Sequence, residues 1–166
     1  SRGLGDVYKR QVVRVARDGE KLVLLDDKEI TLTSKDIVIC AGDTANNVPV
    51  ALAGAMGGKS TGVDTQTKRV LLESATFNLY NLRNTQFRHG IFSEAITRFT
   101  KGQPAPLNHP VLVRAVALLR QYAGATVASE VAEAGDATVV SRKVTFPLQL
   151  VTDTLGTFHG EPYSAD

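Results

Sequence analysis

Between Pro49 and Ala75 the chain reads P-V-A-L-A-G-A-M-G-G-K-S-T-G-V-D-T-Q-T-K-R-V-L-L-E-S-A. An apolar run leads into a loop dense in glycine and hydroxyl residues, and a second apolar run carries a single carboxylate, Glu73. A glycine-rich connection between two rigid strands lets the backbone approach a ligand closely and aim peptide N–H groups at it. Alternation in a strand over 70–75 puts Leu71, Glu73 and Ala75 on one face. Glu73 is then either a carboxylate flanked by apolar side chains, or a surface glutamate on a half-exposed face, or one paired with Lys68 or Arg69.

The phosphate-cradling motif G-x-x-x-x-G-K-[ST] is matched only at its end, Gly58-Lys59-Ser60, because Ala53 stands at its first position. That motif also needs a helix starting at the Lys-Ser pair, so that N-terminal amides hold the phosphate. Residues 61–67, T-G-V-D-T-Q-T, carry no apolar period of 3.6. Other chemistries find little support. The three histidines (89, 109 and 159) are scattered, and no HExxH or paired CxxC occurs, so no protein-held metal is expected. No nucleophile elbow accompanies a serine, and His89 beside Gly90 suits a helix end better than acid–base work. No residue is assigned as catalytic. The lone Cys40 lies in Asp36-Ile37-Val38-Ile39-Cys40-Ala41, where a small buried apolar role is expected and no intrachain disulfide is available.

The elements that must position this loop are β-rich at first. Runs at 12–16, 21–25 and 30–33 are separated by the turn compositions Arg17-Asp18-Gly19-Glu20 and Asp26-Asp27-Lys28-Glu29. A helical turn at Ser34-Lys35-Asp36 precedes a strand over 37–41, and 48–53 enters the glycine loop as a strand. Asn78 is expected to cap a helix with Leu79, Leu82 and Phe87 inward and Gly90 as its stop. A second helix is expected over 110–122, largely buried through Val111, Leu112, Ala115, Val116, Leu118, Leu119 and Tyr122. Strands are expected over 126–132 and 137–145, and 147–156 reads as strand running into helix.

Composition bounds the class. At 43% hydrophobic residues without an apolar run of membrane-spanning length, the chain reads as a soluble protein without a signal peptide. The formal charge is +2, but Ser1–Gln11 has no periodic pattern and reads as a non-native leader. Those residues hold three basic and one acidic side chain, and without them the charge falls to zero. Net charge therefore does not point to nucleic acid.

Several blocks in order resemble the editing domain of the bacterial phenylalanyl-tRNA synthetase beta subunit. They are Ala51-Leu52-Ala53-Gly54-Ala55-Met56-Gly57-Gly58; Gly62-Val63 with Thr65 and Thr67; Val70-Leu71-Leu72-Glu73-Ser74-Ala75; Arg83; Arg88-His89-Gly90; Ser93-Glu94-Ala95; and Arg98-Phe99 with Lys101-Gly102. Thr100 stands where that family has glutamate, Ser93 where threonine is usual, and the proline after Asn78 is missing. The resemblance covers about Val12 to Gly124 well.

It implies an α+β fold of mixed or antiparallel sheets with packed helices. The editing domain would span 12–138, incomplete at its N-terminus, and a following winged-helix-like domain would start in 139–166 and be cut short. It implies an aminoacyl-tRNA synthetase subunit, a cytoplasmic ligase in protein biosynthesis, with two alpha and two beta chains attaching phenylalanine to tRNA(Phe). This region would hydrolyse the ester of mischarged tyrosyl-tRNA(Phe). Ala53, Gly54, Gly57, Gly58, Glu73, Ser93 and Ala95 would line the editing pocket, with Glu73 recognising the tyrosine phenol. A synthetic pocket cannot strongly reject an added hydroxyl, whereas a second pocket that hydrogen-bonds it can. An ionised glutamate only accepts hydrogen bonds, which suits a phenolic donor. Backbone amides around Gly54 and Gly57-Gly58 would orient the ester and the attacking water. Arg83, Arg88, Arg98 and Lys101 are candidate tRNA contacts. No cofactor is expected here; ATP and magnesium would serve the whole enzyme through its alpha subunit. Neither membrane nor DNA is an expected partner. The family's pocket also uses a histidine in the segment before Val12, so the isolated segment is expected to be inactive. The alternative is a non-catalytic tRNA-binding or subunit-interaction module with a degenerate pocket.

Overall fold

Short apolar runs separated by acidic and glycine turns have little choice but to pair with their neighbours, and they do so here. The computed structural model describes residues 11–135, 143–157 and 159–163; residues 1–10 of the leader expected over 1–11 and most of the strand expected over 137–145 lie outside them, while Gln11 pairs with Ala41 in the first strand. Strands β1 (Gln11–Val15), β4 (Ile37–Gly42), β5 (Asn47–Leu52) and β6 (Met56–Gly57) form one sheet in the order β1-β4-β5-β6. Strands β2 (Lys21–Val23) and β3 (Glu29–Thr31) form a separate hairpin. Every named pair is antiparallel, so the fold is α+β with antiparallel sheets.

Strand β4 is apolar throughout because both its edges are paired and both its faces are covered. Val38 and Cys40 join Leu22, Leu24, Ile30, Leu32, Leu52, Leu82, Ile91 and Ile96 in the main core, while Ile39 and Ala41 meet Val50 and Ala53 on the other side. Burying each of the larger aliphatic side chains contributes about 1.5–3 kcal/mol. Cys40 is fully buried, as its setting predicts. Pro49 sits opposite Cys40 beside a register shift between Ile39 and Cys40, a place where a missing N–H does least damage.

Three helices follow in the first compact unit, Ser1–Glu133. Helix α1 (Leu79–His89) starts at Asn78, whose Oδ1 accepts from the Tyr80 and Asn81 amides, and stops at Gly90 in the left-handed conformation (φ 60°). Both ends are where the sequence places them. Helix α2 (Glu94–Phe99) begins at Ser93, whose Oγ accepts from the Ile96 amide. Helix α3 (Asn108–Ala123) ends on Gly124 at φ 60°. In the second unit, Ala134–Asp166, helix α4 (Leu148–Leu155) starts from Pro147 and carries a Gln149 Nε2 to Asp153 Oδ1 bond of 2.8 Å one turn on. No helix among the described residues is long and apolar enough to cross a membrane.

Four expectations need correction. Phe87, expected to point inward on α1, is 66% exposed. Residues 70–75 form no strand: the segment is unpaired, and Val70, Leu71 and Leu72 are exposed. Residues 126–132 form no strand either, with Val127 and Val131 exposed. Helix α3 forms, but none of its residues is buried, and Val111 and Tyr122 are 53% and 78% exposed. In each case local propensity is right or neutral, but no described element covers the apolar face.

Candidate functional site

The glycine loop is a tight turn followed by a short return strand. Leu52 accepts a backbone bond from Ala55 at 3.1 Å, with Gly54 between them at φ +63°, the left-handed position such a turn requires. Ala53 is fully buried beneath it. A side chain at Gly54 would meet Leu82 Cδ1 at 2.7 Å and Phe77 Cδ2 at 3.1 Å. Phe77 in turn stacks edge-on to Phe99, ring centres 5.8 Å apart. The loop is thus roofed by an aromatic pair from the segment before α1 and from the end of α2.

Ser93 completes this join. Its hydroxyl donates to the Ala55 carbonyl while accepting from Ile96 N–H, so one side chain caps α2 and ties it to the loop. Ala95, in the first turn of α2, is exposed. Ala53, Gly54 and Ser93 are therefore brought together as the sequence expects. Gly58 is held differently from expectation. Its N–H donates to Val50 O at 2.7 Å, so this amide is committed to the fold and does not face a ligand. Gly57 accepts from the Leu25 amide at 3.0 Å through its carbonyl. Lys59–Thr61 makes one 3-10 turn with no α-helix behind it, and Lys59 is ion-paired to Asp27. A phosphate cradle needs the opposite on both counts.

Glu73 lies in this unpaired segment, four residues before Phe77. At full extension that places its Cα within roughly 14 Å of the residue roofing Gly54. Neither Lys68 nor Arg69 pairs with it, and its carboxyl has no hydrogen-bond partner among the described residues. Solvent reaches the residue, yet surrounding protein desolvates the carboxyl enough to raise its pKa, and desolvation is the sole cause. A raised carboxyl pKa means the folded state disfavours the ionised form. The resulting penalty is absent below the pKa of an unfolded glutamate, near about 4.3, and develops as pH rises through the folded-state value. Glu73→Gln is accordingly expected to melt slightly higher than the parent at pH 7 and at the same temperature at pH 4. Thermal melts at the two pH values check this, and a variant less stable at pH 7 contradicts it.

The four candidate RNA contacts separate into two kinds. Arg88 bonds Asp36 Oδ1, and Arg98 reaches Glu94 Oε2 at 3.4 Å on an exposed face. Arg83 and Lys101 keep their charged groups free among the described residues and line one concavity.

The polar centre that sequence reasoning missed is Asp36. It is fully buried, and its carboxylate accepts from Thr33 N–H at 2.9 Å, Thr33 Oγ1 at 3.1 Å, Thr85 Oγ1 at 2.8 Å and Arg88 Nη1, with His89 Nε2 at 2.9 Å. Burial is the largest influence on it and pushes its pKa up, but the bonds from His89, Thr33 and Thr85 together outweigh that and hold it below the usual carboxylate range. The available signal was a polar stripe Thr85, Arg88, His89 at i, i+3 and i+4.

Residues 5–124 match the B3/4 domain family. The chain is 41% identical over 145 residues to the phenylalanine–tRNA ligase beta subunit of Streptococcus pneumoniae serotype 4, covering 87% of this chain and 18% of that protein. It is 40% identical over 149 residues to the same subunit of Geobacillus kaustophilus and 39% over 149 residues to that of Bacillus thuringiensis subsp. konkukian, each covering 90% of this chain and 18% of the relative. The chain thus spans about a fifth of the length of the curated relatives it matches. Its match over most of its length and its antiparallel α+β architecture agree: the chain belongs to the B3/4 domain family.

Proposed function

We propose that this chain is the part of a phenylalanine–tRNA ligase beta subunit that removes tyrosine from mischarged tRNA(Phe). The observation that carries the reading is Glu73: an exposed residue whose carboxyl is partly desolvated and has no partner among the described residues, on a segment that leads directly to the roof of the glycine loop. An acceptor left unpaired in a partly desolvated place carries a cost that a ligand's O–H relieves. The tyrosine phenol supplies that O–H and phenylalanine does not, so the acid selects without taking part in bond breaking. A water then attacks the ester carbonyl, the carbon–oxygen bond to the terminal ribose breaks, and the water's proton passes to the departing ribose oxygen. Ser93 and Gly58 shape the loop through internal bonds; in this reading the Gly54 amide, which has no hydrogen-bond partner among the described residues, orients the ester. In the whole enzyme the ATP- and magnesium-dependent attachment of phenylalanine belongs to the alpha subunit, and tRNA(Phe) and that subunit are the partners.

A second reading, a non-catalytic tRNA-binding or subunit-interaction module, draws on the commitment of the Gly58 amide and the Ser93 hydroxyl to the fold. Deacylation by the full ligase carrying this segment separates the two. Tyrosyl-tRNA(Phe) is expected to be cleaved in preference to phenylalanyl-tRNA(Phe). Glu73→Ala is expected to reduce that preference about tenfold, the lower end for a bond to a charged acceptor. The preference is also expected to decline on acidification from a pH above the ordinary glutamate range, because the raised pKa brings protonation in earlier. Unchanged rates and unchanged preference in Glu73→Ala favour the binding module.

A further inference from the structure

The geometry points to a single-nucleotide RNA site on the face formed by α1 and the C-terminal end of α2, where the base stacks on Phe87 and adjoining phosphates are held by Arg83 and Lys101. A concavity of about 250 Å³ is lined by Arg83, Gln86, Phe87, Thr100 and Lys101. Arg83 and Phe87 are one helical turn apart and so share a face of α1, and α2 packs beside α1 to bring Thr100 and Lys101 against it. Phe87 is 66% exposed, so its ring face is open to a ligand beside the concavity.

Charge supports the same occupant. Between Thr76 and Gln103 there are four basic side chains, at 83, 88, 98 and 101, and one acidic residue, Glu94. Arg88 is held by buried Asp36, and Glu94 pairs with Arg98. The two cations left over are the two that line the concavity, and no carboxylate lines it with them. Two free cations flanking an exposed aromatic ring are what single-stranded nucleic acid needs: a π-face for the base and point charges for the backbone. The Gln86 side-chain amide, with no internal hydrogen bond among the described residues, offers a donor and an acceptor to the base edge. A purely apolar partner would leave both cations desolvated, and an acidic peptide would leave the ring unused.

The choice of RNA rests on the proposed tRNA reading, but the site is separate from Glu73 and fails separately. The test uses the full chain with a fluorescein-labelled single-stranded RNA tetranucleotide, a tRNA(Phe) transcript, and heparin as a polyanion without bases, all followed by anisotropy across a salt series. Phe87→Ala is expected to weaken both RNAs about tenfold, as loss of one stacked base does, and to leave heparin binding and the salt slope unchanged. Arg83→Gln combined with Lys101→Gln is expected to make the slope of log affinity against log salt for the tetranucleotide shallower by about 1.4, at about 0.7 per phosphate contact. All these side chains are exposed, and circular dichroism confirms that the variants are folded. The proposal is overturned if the parent chain binds neither RNA, if Phe87→Ala binds RNA as the parent does, or if it loses heparin and RNA equally. Any of those results leaves the tyrosine preference assigned to Glu73 intact, and loss of that preference's Glu73 dependence leaves this site intact.

Discussion

Asp36→Ala is expected to lower the free energy of unfolding by about 3–5 kcal/mol, the range for removing one partner of a buried charge cluster. The carboxylate is fully buried and serves two jobs at once. Through Thr33 it closes the turn that launches β4, and through Thr85, Arg88 and His89 it anchors the last turn of α1 to that strand. Alanine leaves those donors facing a space without an acceptor. Domains of this size have about 5–15 kcal/mol in total, so the variant should unfold at a far lower urea concentration with α1 lost in the same transition. Asp36→Asn keeps the shape and one acceptor oxygen, and should fall between. The sign with pH is fixed by the depressed pKa of Asp36. Its contribution is complete above the range where an unfolded aspartate ionises and is lost as pH falls through the lower folded-state value. The difference between parent and Asp36→Asn should therefore narrow in acid. A loss below about 1 kcal/mol for Asp36→Ala would show that the anchor does not hold the helix.

The strands from Gln11 to Leu52 and helix α1 were legible because their signals are local. Asp26-Asp27 makes a hairpin with Asp27 itself at φ 68°, and Asn78 and Gly90 mark both ends of α1. Residues 70–75 carry β-formers too, but a strand is defined by a partner edge, and sequence propensity cannot supply one. Helix α3 shows the same limit in another form. Its apolar positions follow the helical period, yet period states which residues share a face and not whether anything covers that face.

The candidate site divides along the same line. The turn at Gly54 and the placement of Ser93 follow from residue types that tolerate few alternatives. What the sequence could not show is how each polar group is used. Ser93 reads as a pocket hydroxyl and is a bracket between α2 and Ala55; Arg88 reads as a phosphate contact and is paired with the buried Asp36 carboxylate. Both assignments depend on contacts 38 and 52 residues away along the chain, a separation no local pattern spans. Glu73 shows the converse: its candidacy rests on the resemblance, and the strand expected around it does not form, which leaves it exposed and without a partner among the described residues.

Gly58→Ala is expected to destabilise the chain by about 2–3 kcal/mol, in the upper range for overpacking. Its backbone is extended, φ −80° and ψ 146°, so the penalty is not conformational strain. It arises because a methyl group there would stand 2.5 Å from the Val50 carbonyl oxygen and 3.1 Å from Leu22 Cδ1. The same oxygen accepts the Gly58 N–H, which holds the glycine loop against β5. Relief of the clash must therefore push apart two backbones that a hydrogen bond draws together, since a carbonyl in a paired strand cannot swing aside as a side chain can. Gly57 is the internal control: a methyl group there meets Leu25 Cδ1 at 3.2 Å, and a leucine can change rotamer, so Gly57→Ala should cost less than about 1 kcal/mol. Urea unfolding of both variants reads the difference directly. If Gly58→Ala is tolerated as well as Gly57→Ala, the close approach of the two backbones does not set the loop. If the expected gap appears, the close approach of Gly58 to the Val50 carbonyl is what holds the glycine loop against β5.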